Sequence, residues 1–208
     1  MAKRSTRSKV PPPDRTSRDR ILDATLALSE RDGWSKASLA AIAEEAGLSL
    51  AALYSEFRSR PAILAGLMAR IDAVVLAGAT AADAEESSRE RLFETLMRRF
   101  DAMKPERPAL RRIARGLSCD PVVAALSGLT LLRSMAWMLE ASGISTAGPA
   151  GRLRVKGLTV LYLDVLRTFL EDETPDLAKT MAALDRRLSQ VERCLGVVTR
   201  RRRTAEAA

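Results

Sequence analysis

The sequence predicts an all-α protein. Apolar residues recur every three to four positions over long stretches, which is the period of an amphipathic helix. The 11 glycines and 9 prolines gather between those stretches, where helices end and begin. No convincing strand pattern interrupts them, so about nine helices are expected.

The first helices are short and separated by tight turns. Residues 14–31 have the helical period, and Trp34 is expected to enter the core soon after that helix ends. Ser38 is an N-cap for a second helix, Gly47 supplies the positive φ that ends it, and Ser49 caps a third helix directly afterwards. So short a turn makes the two helices cross steeply, as in a helix-turn-helix motif.

The later helices are longer and more apolar. Ser59 caps a fourth helix with Pro61 in its first turn, and residues 79–88 are predicted to be a linker. A capping box at 87–90 predicts the start of the next helix, and a shorter helix is predicted to end at about residue 117. Three more helices are predicted over 121–141, 152–170 and 174–191. The segment 143–151 is predicted to be a loop because it is rich in glycine and proline. Arg133 interrupts the most apolar helix, which argues against a membrane span.

The net charge of +8 is concentrated at the two ends of the chain. Residues 1–20 hold seven cationic and two acidic side chains, and residues 193–208 hold five and one. Basic arms of this kind are often disordered and suit DNA or an anionic membrane, although solubility alone would also explain them. The predicted division is a disordered basic arm (1–13), a helix-turn-helix domain (14–60), a ligand-binding and dimerisation domain (61–195) and a disordered basic tail (196–208).

The composition argues against an enzyme. The chain has no histidine, which removes the commonest general base and the commonest metal ligand. Its two cysteines, Cys119 and Cys194, are far apart and form no metal-binding or disulfide pattern. We therefore expect no cofactor, no metal and no catalytic residue. Free thiols, and an N-terminal segment without the apolar core of a secretory signal, suit the cytoplasm.

One segment resembles a known family. The segment extends from about Arg18 to Leu67, and from Arg20 onward it reads RILDATLALSERDGWSKASLAAIAEEAGLSLAALYSEFRSRPAILAGL. The positions of Ser38, Ile42-Ala43, Ala46-Gly47-Leu48-Ser49, Leu53-Tyr54, Phe57 and Ser59-Arg60 are similar to those of the TetR-type transcriptional regulators. This density of matches at fixed spacing is more specific than a lone helix-turn-helix.

The resemblance implies a DNA-binding surface. Ser38 would contact a phosphate at the start of the second helix, and the third helix would be the recognition helix. Ser49, Leu50, Ala51, Tyr54 and Ser55 would face the major groove, and Arg58 and Arg60 would lie beside it. Arg15, Arg18 and Arg20 would add phosphate contacts. The implied protein is a cytoplasmic homodimeric regulator, a ligand-responsive repressor that binds double-stranded DNA at a near-palindromic operator and pairs through its last two long helices.

The body suggests an apolar effector and a second interpretation. Phe93, Met97, Phe100, Leu117, Met135, Trp137, Met138 and Tyr162 are predicted to line a ligand cavity, with core packing as the alternative. Asp164, Arg133 and Arg154 are the nearest polar residues. The stretches DGW, SMAWMLEASG and LTVLYLDVLRTFLEDETPDLAKTMAALDRRL resemble a lipid-binding accessory family of ubiquinone biosynthesis, which has a TetR-like fold without DNA recognition. Leu50, Ala51 and Glu56 depart from the regulator pattern, so a lipid-binding or isoprenoid-binding accessory protein is the alternative function.

Overall fold

The fold is built from helices throughout the part of the chain that the structure describes. The structure, a computed structural model, describes residues 16–78 and 87–206, with side chains up to residue 193. Nine α-helices lie in these ranges: α1 (Ser17–Asp32), α2 (Leu39–Glu45), α3 (Leu50–Glu56), α4 (Arg60–Ala77), α5 (Ser88–Met103), α6 (Arg107–Leu117), α7 (Pro121–Ala141), α8 (Gly148–Glu171) and α9 (Ala178–Glu206). Single 3₁₀ turns cover Trp34–Lys36 and Lys104–Glu106. The predicted all-α class is confirmed.

Serine and threonine hydroxyls cap the N-termini of five of these helices. The side chains of Thr16, Ser38, Ser49, Ser59 and Ser87 each accept a hydrogen bond from the backbone N–H three residues later, at 3.1 to 3.3 Å. Each bond satisfies an amide that the helix itself leaves without a partner. The helix starts expected from the caps at 38, 49 and 59 and from the capping box at 87–90 are therefore confirmed.

Two helix boundaries differ from the sequence prediction. Helix α8 begins at Gly148, inside the segment 143–151 that was expected to be a loop, because Pro149 fits the first turn of a helix, where its missing N–H costs nothing. Helix α9 continues to Glu206 through the segment expected to be a disordered tail, and its run of arginines favours helix. The predicted arm at 1–13 and residues 79–86 of the predicted linker lie outside the described residues.

Two hydrophobic cores hold the described helices together. The first core joins α1, α2, α3 and Trp34 with Ile63, Leu64 and Leu67 from the start of α4, and with Ala109 and Ile113 of α6. The second core joins α5, α7, α8 and α9 with Val75 near the end of α4. Helix α4 thus contributes to both cores, and α6 packs directly on α1. The boundary at 60/61 stays a prediction, and the first core extends across it.

Helix α7 is the most apolar helix of the described residues. By length and composition alone it is the one described helix that passes as a candidate membrane span, with 39% of its most apolar window buried. It packs against α4, α5 and α8. The sequence indicates a buried helix, but α7 is buried on one side only, because Val122, Leu126, Leu129 and Trp137 are exposed.

Candidate nucleic-acid interface

Helix α3 separates a buried face from an exposed one. Leu53 and Phe57 are 1% and 3% exposed and belong to the first core. Leu50 and Tyr54, by contrast, are 56% and 57% exposed. Ser49, Ala51 and Ser55 are exposed beside them. The structure therefore brings all five residues predicted to face the major groove onto one exposed surface, held in place by the buried side of a seven-residue helix.

The turn between α2 and α3 is held by Arg20 of α1. One guanidinium nitrogen, Nη2, donates to the carbonyl oxygens of Ala46 at 2.6 Å and Gly47 at 3.0 Å. Gly47 has φ of 62°, a conformation that glycine adopts without strain. Since these carbonyls end α2, Arg20 neutralises the negative end of that helix and fixes the turn. The resemblance implied a phosphate contact for Arg20, whereas the structure gives it a positioning contact inside the domain.

Ser38 lies exposed at the N-terminus of α2. Its hydroxyl oxygen accepts a hydrogen bond from the Ala41 amide at 3.2 Å, which leaves its own O–H available as a donor. The cap and a contact with an outside oxygen are therefore compatible at this residue.

Two arginines lie against aromatic rings near the exposed side of α3. The Arg18 guanidinium carbon is 4.4 Å from the centre of the Phe57 ring, and that of Arg58 is 5.2 Å from the centre of the Tyr54 ring. Both arginines are exposed, so their N–H groups remain open to solvent. Cation–π contacts of this kind restrict the position of the guanidinium without using its hydrogen-bond donors.

Arg60 requires a correction to the sequence interpretation. Its guanidinium lies 4.1 Å from the centre of the Trp34 ring and donates to the Trp34 carbonyl oxygen. Burial lowers the pKa of Arg60, an effect that the nearby Asp120 opposes. Trp34 is itself buried and packs tightly on Gly116 of α6, where an added Cβ would lie 2.7 Å from the tryptophan Cβ. Arg60 therefore ties the start of α4 to α6, although the resemblance implied a backbone contact with DNA.

The helix-turn-helix region is not basic by itself. Residues 16–60 contain six cationic and seven acidic side chains, and the acidic Glu56 is exposed on α3. Residues 1–15 contain five cationic side chains against one acidic one, and the predicted contact Arg15 is among them. Arg15 lies outside the described residues. The cationic excess nearest to this region in sequence therefore lies in residues 1–15.

The residues predicted to line a cavity fall into three groups. Phe100, Met135, Met138 and Tyr162 are buried in the second core, and Phe93 and Met97 are partly buried against it. Leu117 packs instead against the first core. Trp137 is 59% exposed, because it lies on the outer face of α7 with Leu126 and Leu129. The prediction that Leu117 and Trp137 line the same cavity as the others is therefore wrong.

The polar residues predicted for the body also lie elsewhere. The Asp164 carboxylate accepts a hydrogen bond from Arg187 at 2.7 Å on the surface, Arg154 donates to the Ser145 carbonyl oxygen at 2.9 Å, and Arg133 is exposed. The polar group inside the second core is one that the sequence interpretation missed.

That group is centred on Arg99 of α5, which is 2% exposed. Arg99 forms an ion pair with Asp72 of α4, and its Nε–H donates to the Tyr162 hydroxyl of α8 at 3.1 Å. Ser134 of α7 donates to the same Asp72 oxygen at 2.8 Å. The sequence did contain a signal, since position 99 falls on the apolar stripe that includes Leu92, Leu96 and Met103.

Comparison with known proteins finds relatives of the N-terminal domain and of the overall fold. Residues 21–67 match the family described as bacterial regulatory proteins, tetR family. A TetR transcriptional regulator from Nitrosomonas europaea has a similar fold, with a TM-score of 0.66, 23% sequence identity, and coverage of 83% of this chain and 96% of that chain. A TetR transcriptional regulator from Rhodococcus sp. RHA1 has a TM-score of 0.59 and 18% sequence identity, with coverage of 83% of this chain and 96% of that chain. A tetR-family transcriptional regulator from Streptomyces coelicolor has a TM-score of 0.56 and 18% sequence identity, with coverage of 89% of this chain and 87% of that chain. No curated protein matches.

Proposed function

We propose that this chain is a ligand-responsive repressor, because residues 21–67 match the family described as bacterial regulatory proteins, tetR family, and the described chain has a fold similar to that of solved TetR regulators. It acts in the cytoplasm as a homodimer on a near-palindromic DNA operator. An apolar effector in the body lowers its affinity for that operator. The observation that carries the proposal is the exposed face of α3, which presents Ser49, Leu50, Ala51, Tyr54 and Ser55 together.

The chemistry of this face favours a particular kind of base contact. Leu50 and Ala51 suit the methyl group of thymine, while the hydroxyls of Ser49 and Tyr54 can donate to base edges or phosphates. The Ser55 hydroxyl donates to the Ala52 carbonyl oxygen at 2.8 Å and can accept a hydrogen bond from DNA. Few side chains on α3 can form the bidentate contacts that discriminate strongly between bases. We therefore expect an operator rich in A·T pairs, with a modest cost for each single mismatch.

Selection from a random duplex pool, followed by fluorescence anisotropy on the selected DNA and on scrambled DNA, tests the proposal. Tyr54→Ala should weaken binding to selected DNA more than binding to scrambled DNA, since Tyr54 lies on the reading face. Arg58→Gln is the matched control: it removes a neighbouring charge and should weaken both by a similar factor. If no sequence is enriched, or if each variant weakens binding to selected and scrambled DNA by the same factor, α3 is not the helix that recognises the base sequence.

The homodimer is supported by the outer face of α8. Leu153 and Val160 are 72% and 69% exposed there, on a helix that packs on α9. Between them lies Gly157, which has no atom within 4 Å of where a Cβ would be. A glycine inside a helix costs about 1 kcal/mol relative to alanine, and no contact in the described structure accounts for it. Close approach of a second helix at this face would account for both features.

Two valines with nearly equal exposure provide a matched test of the dimer. Val160 on α8 and Val122 on α7 are 69% and 68% exposed. Val160→Arg should shift the protein towards monomer in sedimentation velocity and reduce binding to the palindromic DNA. Val122→Arg should leave both unchanged. A monomeric wild-type chain that still binds the selected palindrome would contradict this part of the proposal.

A second candidate function is supported by the charge of the helix-turn-helix region. With seven acidic against six cationic side chains in residues 16–60 and an exposed Glu56 on α3, the region has no net positive charge, which is unusual for a DNA-binding domain. The candidate is a lipid-binding or isoprenoid-binding accessory protein that uses the fold without DNA. Native mass spectrometry distinguishes the two: a copurifying lipid together with no selected DNA would favour the accessory protein.

A further inference from the structure

Arg99 is an arginine at a core position, and stability alone does not call for it. Leu96 and Phe100 beside it are fully buried, and Phe100 stacks on Tyr162 with ring centres 5.3 Å apart. Removing a guanidinium from water is costly, and buried ion pairs are often no more stable than apolar residues of the same volume. A charge retained in this position therefore points to a ligand or a conformational role.

The ion pair leaves much of the Arg99 guanidinium unused. A guanidinium has five N–H donors and suits a carboxylate that accepts two parallel bonds. Here Nη1 donates to one Asp72 oxygen and Nε donates to Tyr162, while Nη2 has no hydrogen-bond partner among the described residues. The Asp72 oxygen is also shared with Ser134. Arg99 thus keeps donors that a carboxylate bound in place of Asp72 could use.

From this arrangement we propose that the effector is a carboxylate with an apolar body, which binds Arg99 in place of Asp72. The inference rests on the proposed function and gives its effector a chemical class. Charge balance requires the exchange, because one guanidinium in a buried site neutralises one carboxylate, and a second uncompensated anion there would be strongly disfavoured. Burial raises the pKa of the Tyr162 hydroxyl, so the tyrosine stays neutral and adds no charge.

The surroundings of Arg99 suit the apolar part of such a ligand. Met103, Met135 and Met138 lie in the second core and are nearly or fully buried. Methionine is unbranched and polarisable, so it repacks around a guest more readily than leucine or valine. Asp72 is 14% exposed, which gives its carboxylate a path to water once it leaves Arg99.

The exchange would couple the ligand to DNA binding. Asp72 lies on α4, whose first turns pack in the core of the helix-turn-helix domain. An anion that competes with Asp72 removes the ion pair that joins α4 to α5. By linkage, DNA that favours the paired state must weaken binding of the anion. Couplings of this type usually change affinity by about 5- to 150-fold.

The test uses the full-length chain and four probes: octanoate, decanoate, 3-phenylpropionate and, as the uncharged control, methyl octanoate. Calorimetry on the free protein measures binding, and anisotropy measures the effect on the selected DNA. At least one acid should bind tenfold more tightly than the ester and lower DNA affinity about tenfold. If no acid binds, or if the ester binds as well as octanoate, the inference is overturned. Absence of any selected DNA would instead defeat the proposed function, while calorimetry would still decide on the carboxylate site.

Asp72→Asn separates competition from simple binding. Without the competing carboxylate, the variant should bind the acid about tenfold more tightly than the wild type, and its DNA affinity without ligand should be lower. The matched control is Asp185→Asn, which removes one of the partners of Arg89 at the surface between α5 and α9. That variant should behave like the wild type. Equal acid affinity in Asp72→Asn and the wild type would refute the exchange.

Discussion

The two leucines of α3 should separate stability from DNA binding. Leu53 is 1% exposed in the first core, whereas Leu50, three residues earlier on the same helix, is 56% exposed. Leu53→Ala removes a side chain whose burial contributes about 1.5 to 3 kcal/mol and leaves a cavity, so we expect a loss of roughly 3 kcal/mol in the free energy of unfolding. Leu50→Ala should change that free energy by no more than about 0.5 kcal/mol.

The same pair should behave in the opposite way towards DNA. In a chain of this size, the loss at Leu53 corresponds to a decrease of roughly 6 to 12 °C in Tm, measurable by circular dichroism. At a temperature where both variants are folded, anisotropy on the selected DNA should show a loss of affinity for Leu50→Ala, since the proposed function places its methyl groups against the groove. A Leu50→Ala variant that unfolds as early as Leu53→Ala, or that binds the selected DNA like the wild type, would refute the assignment of faces on α3.

Three further outcomes follow from other parts of the chain. Burial alone would raise the pKa of Asp172, but hydrogen bonds from Thr174 and Thr180 together lower it to about 2. Because this pKa is below that of the same group in the unfolded chain, Asp172 stabilises the fold fully above about pH 4, and the stabilisation is lost as the pH falls towards 2. In urea melts at pH 3 and pH 6, the free energy of unfolding of Asp172→Asn should therefore differ less between the two pH values than that of the wild type. Gly116→Ala should lower Tm, because its Cβ would meet Trp34, while Gly128→Ala on α7, with no atom within 4 Å of that position, should not. Deleting residues 1–13, which contain Lys3, Arg4, Arg7 and Lys9, should reduce the slope of log affinity against log salt by up to about 3.6; an unchanged slope would show that the arm makes no phosphate contacts.

The local features of the helix-turn-helix domain could be predicted from the sequence. Ser38, Ser49 and Ser59 cap their helices as expected, and Gly47 has the positive φ expected of it. These outcomes depend on a residue and its neighbours within about one helical turn. The division of α3 into a buried and an exposed face follows equally from helical periodicity, which is why all five predicted reading residues lie on one surface.

The roles of the arginines could not be predicted in the same way. Arg20 and Arg60 both stand at positions that suit phosphate contacts, yet their partners are the carbonyl oxygens of Ala46, Gly47 and Trp34, each 26 or 27 residues away in sequence. Such partners become adjacent only when the tertiary fold forms. Arg99 differs, because a charge on an apolar stripe is visible in the sequence, whereas its partner Asp72 is not.

These contacts explain how a change in the body would reach the DNA-binding face. Arg60 ties the first turn of α4 to Trp34 and so to α6, and Asp72 ties the same helix to Arg99, twelve residues or roughly 18 Å further along. Helix α4 contains no proline after its first turn, so it has no built-in point at which to bend. Under the proposed exchange, release of Asp72 would therefore move α4 as a unit. The movement would reach the end of α3 at Gly66, where an added Cβ would lie 2.6 Å from the Phe57 ring.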